Sequence, residues 1–250
     1  MNSRLKDKVA LVTGSSQGIG AGIAKAFANE GAKVVINYAS SEAKAQQTVD
    51  EIVKNGGTAI AIHANIAESE SIAKLFEQTI AAFGKLDILV NNVGKLEFEK
   101  LEEITATNLH MQINTNLIGT ILATQKAAGL MEKNGGSIIN ISATTSINPL
   151  PGTLVFSATK AAIDNITKVL AKELGPKNIR VNTLAPGMTE TEGSYEKGFI
   201  GSDFEKYNRS ITPLGRIAQV EDIAKVAVFL ASEDSNWITG ERIQASGGQQ

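Results

Sequence analysis

Short runs of β-branched and aliphatic residues alternate along this chain with longer stretches in which apolar residues recur every three or four positions. The first pattern predicts strands at residues 9–13, 33–38, 59–63, 86–90, 137–142, 180–184 and 242–245. The second predicts helices at residues 19–30, 42–54, 69–83, 102–132, 156–174 and 220–231. When strand and helix take turns in this way, each crossover returns the chain in the same direction and lays its apolar stripe on the sheet. The expected fold is therefore α/β, a single doubly wound domain over residues 1–250 whose parallel sheet carries helices on both faces. No proline-rich or serine-rich linker, charge block or repeat divides it. Residues 187–215 show neither pattern and form one long irregular insertion. It follows the carboxyl end of a strand, where such sheets bind ligands, so a substrate lid is expected there.

Composition narrows the function. With 42% hydrophobic and 20% charged residues the chain has the makings of a core. Its 24 basic and 26 acidic side chains leave a formal charge of −2, which offers no general attraction to nucleic acid or to an anionic membrane. Neither is expected as a partner. No stretch approaches the roughly 18 apolar residues that span a bilayer. The charges at Arg4, Lys6, Asp7 and Lys8 precede only a short apolar run, unlike a signal peptide, and a cytoplasmic location is expected. There is no cysteine, which excludes disulfides, thiolate metal sites and cysteine nucleophiles. His63 and His110 are the only histidines, and their spacing suggests no metal site.

The first chemistry stands at Thr13-Gly14-Ser15-Ser16-Gln17-Gly18-Ile19-Gly20, between the first strand and the first helix. A glycine-rich turn there lets backbone approach a pyrophosphate at a helix N-terminus, where N–H groups and the helix dipole favour an anion. At the end of the second strand, Asn37-Tyr38-Ala39-Ser40-Ser41 has no carboxylate before Glu42, so nothing repels an adenosine 2′-phosphate. Ser40, Ser41 and Lys44 are available to receive one.

Together with Asn91-Asn92-Val93-Gly94, Asn116-Leu117-x-Gly119, Ser157-Ala158-Thr159-Lys160, Pro186-Gly187-x-x-x-Thr191, Pro213-Leu214-Gly215-Arg216 and the ending from Gly240 to Gly248, this turn resembles the short-chain dehydrogenase/reductase family. The similarity runs in order through essentially the whole chain and is strongest to 3-oxoacyl-carrier-protein reductase-like members. It implies a seven-stranded parallel Rossmann-type sheet, a nicotinamide cofactor, a small carbonyl or alcohol substrate and a homotetramer. It would place Gly14, Gly18, Ile19 and Gly20 on the pyrophosphate, with Ser16 and Gln17 near the adenosine ribose. Asn92, Val93 and Gly94 would line the adenine and ribose side, with Val93 where the family commonly has alanine. Asn65-Ile66 stands where the family has Asp-Val contacting adenine. Pro186, Gly187, Met188 and Thr191 would flank the nicotinamide carboxamide. With Asn37, Tyr38 and Ser40 at the second strand, NADP(H) is the expected cofactor and NAD(H) remains open.

The departures fall on the catalytic positions. The family pairs a Tyr-x-x-x-Lys with a serine thirteen positions before the tyrosine and an asparagine on the preceding helix. Here Lys160 and Asn116 are present, but Phe156 stands at the tyrosine position and Ala143 at the serine position. Phenylalanine neither donates nor accepts a proton, so turnover is expected to be strongly impaired. The neighbouring hydroxyls of Ser142, Thr144, Thr145, Ser146 and Tyr195 lack a tuned partner in the sequence. Two explanations stay open: deliberate inactivation of a reductase by two minimal losses, and divergence into a noncatalytic NADP(H)-binding or sensing protein.

Overall fold

The computed structural model describes residues 3–249. Seven strands, β1 (Val9–Val12), β2 (Lys33–Tyr38), β3 (Thr58–His63), β4 (Ile88–Asn91), β5 (Gly136–Ile141), β6 (Ile179–Pro186) and β7 (Arg242–Ala245), form one parallel sheet in the order β3-β2-β1-β4-β5-β6-β7. Alternation along each strand feeds two cores. Ala10 and Val12 of β1 with Val34 and Ile36 of β2 face one side, and Val9, Leu11 and Val35 face the other. Strands buried on both faces read as continuous apolar runs, which is why they stood out in the sequence.

Helices α1 (Gly18–Asn29), α2 (Glu42–Lys54) and α9 (Val220–Ala231) cover the first side through Ile23, Phe27, Ile52 and Ile223. On the second side lie α3 (Ser69–Phe83), α5 (Gly119–Met131) and α6 (Leu154–Leu174), which bury Leu75, Phe76, Ala127, Met131 and Leu174. Among the described residues no helix is long and apolar enough to cross a membrane. The strand order reverses between β1 and β4. At that point the two first crossovers run apart and leave a crevice beyond the strand ends.

Two expectations need correction. The single helix expected at residues 102–132 is a 3₁₀ turn at Leu101–Glu103, then α4 (Ala106–Ile113), a π turn at Asn114–Ile118 and α5. The Thr105 hydroxyl starts α4 by accepting the Asn108 N–H at 3.2 Å. The insertion at residues 187–215 is not irregular throughout, since it holds α7 (Glu192–Glu196) and α8 (Asp203–Ser210). Their caps are Thr191 and Ser202, whose side chains accept the N–H groups of Ser194 and Glu205. Both helices are too short and too polar to set up an apolar period.

A buried polar seam ties the central strands to the helices that carry the site. Asn91 Nδ2 donates to Thr124 Oγ1 of α5 at 3.0 Å and to Asn140 Oδ1 of β5 at 2.9 Å. Asn140 Nδ2 in turn donates to Thr167 Oγ1 of α6 at 2.9 Å, and the Thr183 hydroxyl of β6 donates to the same oxygen at 2.9 Å.

Candidate active site

The glycine turn sits at the switch point. Gly14 and Gly18 have φ of +59° and +61°, left-handed values that favour glycine. A Cβ on Gly20 would stand 2.5 Å from Asn92 Nδ2 and 2.6 Å from the Gly14 carbonyl, and one on Gly14 would stand 2.8 Å from Val93 Cγ2. The turn is therefore folded down onto the end of β4. Asn92 holds it there, donating from Nδ2 to the carbonyls of Thr13 and Gly14 at 2.9 Å each. Asn37, fully buried, braces it from below: Oδ1 accepts the Gly14 N–H at 3.1 Å and Nδ2 donates to the Ala64 carbonyl at 3.0 Å. Its side chain supports the turn and does not reach its outer surface.

At the mouth of α1 the Gly18 N–H donates to the Glu192 carboxylate of the lid at 3.0 Å. A carboxylate thus stands where a helix N-terminus favours an anion, and this donor set suits a dinucleotide pyrophosphate. Beside it, Lys44 Nζ donates to Gln17 Oε1 and, at 3.0 Å, to Glu196 Oε1 of α7. Ser16 supplies its carbonyl to the Thr48 hydroxyl at 3.1 Å. Tyr38 packs edge-on against His63, with ring centroids 5.5 Å apart. Burial first, and then Glu42, raise its phenol above the ordinary range. Ser40 is exposed at the strand end. Asn65 shapes the next turn, donating to Glu68 and accepting the Ala67 N–H, while Ile66 is buried against Gly119.

From the switch point a cleft of about 380 Å³ runs under the lid. Ile19, Asn92 and Gly94 line its near end, and Pro186, Gly187, Met188 and Thr191 line the edge formed by the end of β6. Ala143, Phe156 and Lys160 lie in its wall, so residues far apart in sequence meet there because each follows a strand end. A larger hollow of about 510 Å³ opens at the other end of the sheet, beside Lys8, Asp87 and Arg180. There the Arg180 guanidinium is engaged with Leu230 O, Ser232 O and Ser235 Oγ. The switch-point cleft is the one that gathers the motif residues.

Lys160 is buried on α6. Its Nζ donates to the Ile141 carbonyl at 2.8 Å, lies 5.5 Å from the centre of the Phe156 ring, and would be 3.3 Å from a Cβ on Gly94. Burial lowers its pKa to about 8, against the opposing pull of Asp164 one turn further along the helix. Asn116 lies within the π turn. Its Oδ1 accepts the Lys95 N–H at 2.7 Å, and its Nδ2 donates to Lys95 O at 2.9 Å and to Thr159 Oγ1 at 3.1 Å. Asn116 thereby fastens the loop after β4 to α6, and Thr120 donates to the Asn116 carbonyl at 2.9 Å.

Ser142 turns its hydroxyl to the Lys160 carbonyl at 3.3 Å. Tyr195 donates to Glu190, is exposed and does not line the cleft. Thr145 does line it, and its Oγ1 is buried with no hydrogen-bond partner among the described residues. One cluster escaped the sequence reading. Arg242 of β7 donates to Asp164 at 2.8 Å and to the Ala143 carbonyl at 3.1 Å, and Ser146 donates to the same Asp164 oxygen. The spacing of Asp164 four residues after Lys160 could have flagged it, while Arg242 at the start of the last strand carried no signal. Among the described residues no group of three or more histidine, aspartate or glutamate side chains is placed to hold a metal ion.

The chain can now be set beside known proteins. A family model described as enoyl-(acyl carrier protein) reductase matches residues 14–250. An uncharacterised oxidoreductase of Methylorubrum extorquens is 48% identical over 246 residues, which cover 98% of this chain and 99% of that protein. The solved gluconate 5-dehydrogenase of Burkholderia cenocepacia, in complex with NADP and tartrate, is similar at a TM-score of 0.93 and 32% identity, covering 99% of this chain and 97% of that one. A short-chain dehydrogenase/reductase from Serratia marcescens is similar at a TM-score of 0.91 and 34% identity, over 98% of this chain and 99% of its own. Matched from the glycine turn to its end by oxidoreductases of one architecture, the chain belongs to the short-chain dehydrogenase/reductase family.

Proposed function

We propose that this chain binds NADP(H), in preference to NAD(H), on the scaffold of an oxidoreductase that interconverts a ketone and a secondary alcohol, and that Phe156 and Ala143 leave it strongly impaired in proton transfer. The observation that carries this reading is the position of Lys160, buried in the cleft wall between the Phe156 ring and Gly94. When bound, the nicotinamide supplies or accepts the hydride. Gly14, Gly18, Ile19 and Gly20 would hold the pyrophosphate, and Ser16 and Gln17 would serve the adenosine ribose. Asn92, Val93 and Gly94, with Asn65 and Ile66, would hold the adenine and ribose side, and Pro186, Gly187, Met188 and Thr191 would hold the carboxamide. Lys160, whose Nζ donates to the Ile141 carbonyl, would also donate to the nicotinamide ribose. Lys44 supports the choice of NADP, since it places a cation beside the glycine turn with Ser40 and Tyr38 close in sequence.

The chemistry explains the impairment. Reduction of a ketone leaves an alkoxide that must gain a proton, and an ammonium beside a phenol favours the phenolate and lowers its pKa toward working pH. Phe156 offers the ammonium only the face of a ring. Ala143 has no hydroxyl with which to polarise the carbonyl. Asn116 and Lys160 keep the loop and the helix in place around this gap.

NADPH oxidation by this chain, beside a Phe156→Tyr, Ala143→Ser version, across 3-oxo esters and simple ketones, tests the reading. The restored protein is expected to gain about a thousandfold or more, given the usual worth of a positioned acid/base and an oxyanion donor. The second reading, a noncatalytic NADP(H)-binding or sensing protein, draws on the absence of a proton donor at Phe156. It predicts tight NADPH binding by both versions and turnover by neither.

A further inference from the structure

Three phenyl rings from two separate segments meet over the far half of the cleft. Phe98 comes from the loop between β4 and α4, and Phe199 and Phe204 come from the lid. Centroid separations are 5.7 Å for Phe98 and Phe199, 6.1 Å for Phe98 and Phe204, and 5.2 Å for Phe199 and Phe204, with the first two pairs edge to face. All three line the cleft, and Phe98 is 44% exposed although it belongs to this cluster. Large apolar surface left open beside polar groups marks a binding site.

The charges in the cleft are already engaged. Lysines 160 and 197 are the charged residues that line it, and their ammonium groups donate to the carbonyls of Ile141 and Leu96 at 2.8 and 2.6 Å. Among the described residues no acidic side chain lines it. The three rings themselves carry no charge, so the half of the cleft that they cover suits an uncharged group. Edge-to-face phenyls present both C–H edges and π faces, which favour another aromatic ring over an alkyl group of equal area. The cleft also holds one polar atom in need of an acceptor: Thr145 Oγ1, buried without a partner among the described residues, two residues beyond Ala143. A buried donor left unmade is costly, and a carbonyl oxygen would satisfy it.

We infer that the cleft selects a neutral aryl ketone, its ring seated against Phe98, Phe199 and Phe204 and its oxygen accepting the Thr145 hydroxyl. The inference rests on the ketone and alcohol reading above and names the substrate class for that site. Phe98, Phe199 and Phe204 are then specificity-determining residues.

The test is calorimetric titration of the full chain, free and with NADPH, using 2-acetylnaphthalene and its fully saturated decalin analogue as probes. The aryl ketone is expected to bind about tenfold tighter, the sum of two or so ring contacts. A Phe98→Leu, Phe204→Leu variant, shown folded by circular dichroism, is expected to bring the ratio to about one. Thr145→Val is expected to weaken both ketones alike and leave the ratio unchanged. A ratio near one in the unsubstituted chain, or one that persists in the leucine variant, overturns the aromatic seat. Unchanged binding of both ketones in Thr145→Val overturns the oxygen seat. Failure of NADPH to bind sinks the cofactor reading instead, and the ratio measured on the free chain still decides this one.

Discussion

Lys160 holds its ammonium where water scarcely reaches, and burial lowers its pKa from the ordinary 10.5 to about 8. Between those values the unfolded chain binds this proton and the folded chain does not, so the contribution of Lys160 to stability rises with pH. Below about pH 8 both states are protonated and that contribution is flat and at its least favourable. Replacement by methionine removes the proton. The stability difference between Lys160→Met and the unsubstituted chain, measured by urea unfolding without cofactor, is therefore expected to shift by about 1 kcal/mol toward the lysine chain between about pH 7 and pH 9. A difference that stays constant over that range would show that the fold does not disfavour the ammonium. Phe156 contributes to this environment, since a ring stands where a hydrogen-bonding group would have helped keep the charge.

Among the elements, the seam through Asn91, Asn140, Thr167 and Thr183 fixes how α6, and with it Lys160, lies on the sheet. Asn140→Leu leaves the buried Asn91 amide and the Thr167 hydroxyl each short of a partner. Each keeps one partner, Thr124 for Asn91 and Thr183 for Thr167, so the substitution is expected to cost about 1 to 3 kcal/mol, the usual net worth of two lost buried hydrogen bonds. Denaturant midpoints at unchanged slope would measure it, and a loss under about 1 kcal/mol would mean the seam is not coupled. The same elements show what a sequence makes visible. Helices α2, α3 and α9 and strands β2 and β7 have the bounds that their patterns predict; each of the helices lays one stripe on one core, and β2 is a continuous apolar run because it feeds both. The motif residues were legible as a group because the turns after parallel strands all open on the same crevice. Asn37, expected at the cofactor, is buried beneath the glycine turn and accepts its Gly14 N–H. The π turn was not legible, since one extra residue in a helical turn shifts the apolar stripe without interrupting it. Nor were α7 and α8, whose signals are single capping hydroxyls, or the Arg242 contact, which joins positions 78 residues apart.

On the scale of the whole molecule, the outer face of α5 and α6 is unusually apolar for a surface. Ile118 at the end of the π turn, Ile121 and Leu130 of α5, and Leu154 and Val169 of α6 are all exposed. The homotetramer that the family resemblance implies would cover such a face, and light scattering is expected to give about four times the chain mass of 26.4 kDa. Ile121→Lys with Val169→Lys is expected to lower that mass while the circular dichroism is kept, and a monomeric mass for the unsubstituted chain would end the idea. A last consequence concerns time. Because Glu192 holds the Gly18 N–H and Glu196 holds Lys44, the segment over the cleft is tied to the groups that the proposed dinucleotide would reach. Arrival of NADPH then waits on departure of a carboxylate, and the observed association rate is expected to level off as its concentration rises instead of climbing without limit. Stopped-flow fluorescence would read that plateau as the opening rate, and Glu192→Gln, whose neutral amide is held less firmly by the helix end, should lift it several-fold. A rate that stays linear in NADPH would mean that the knot unties faster than the nucleotide arrives.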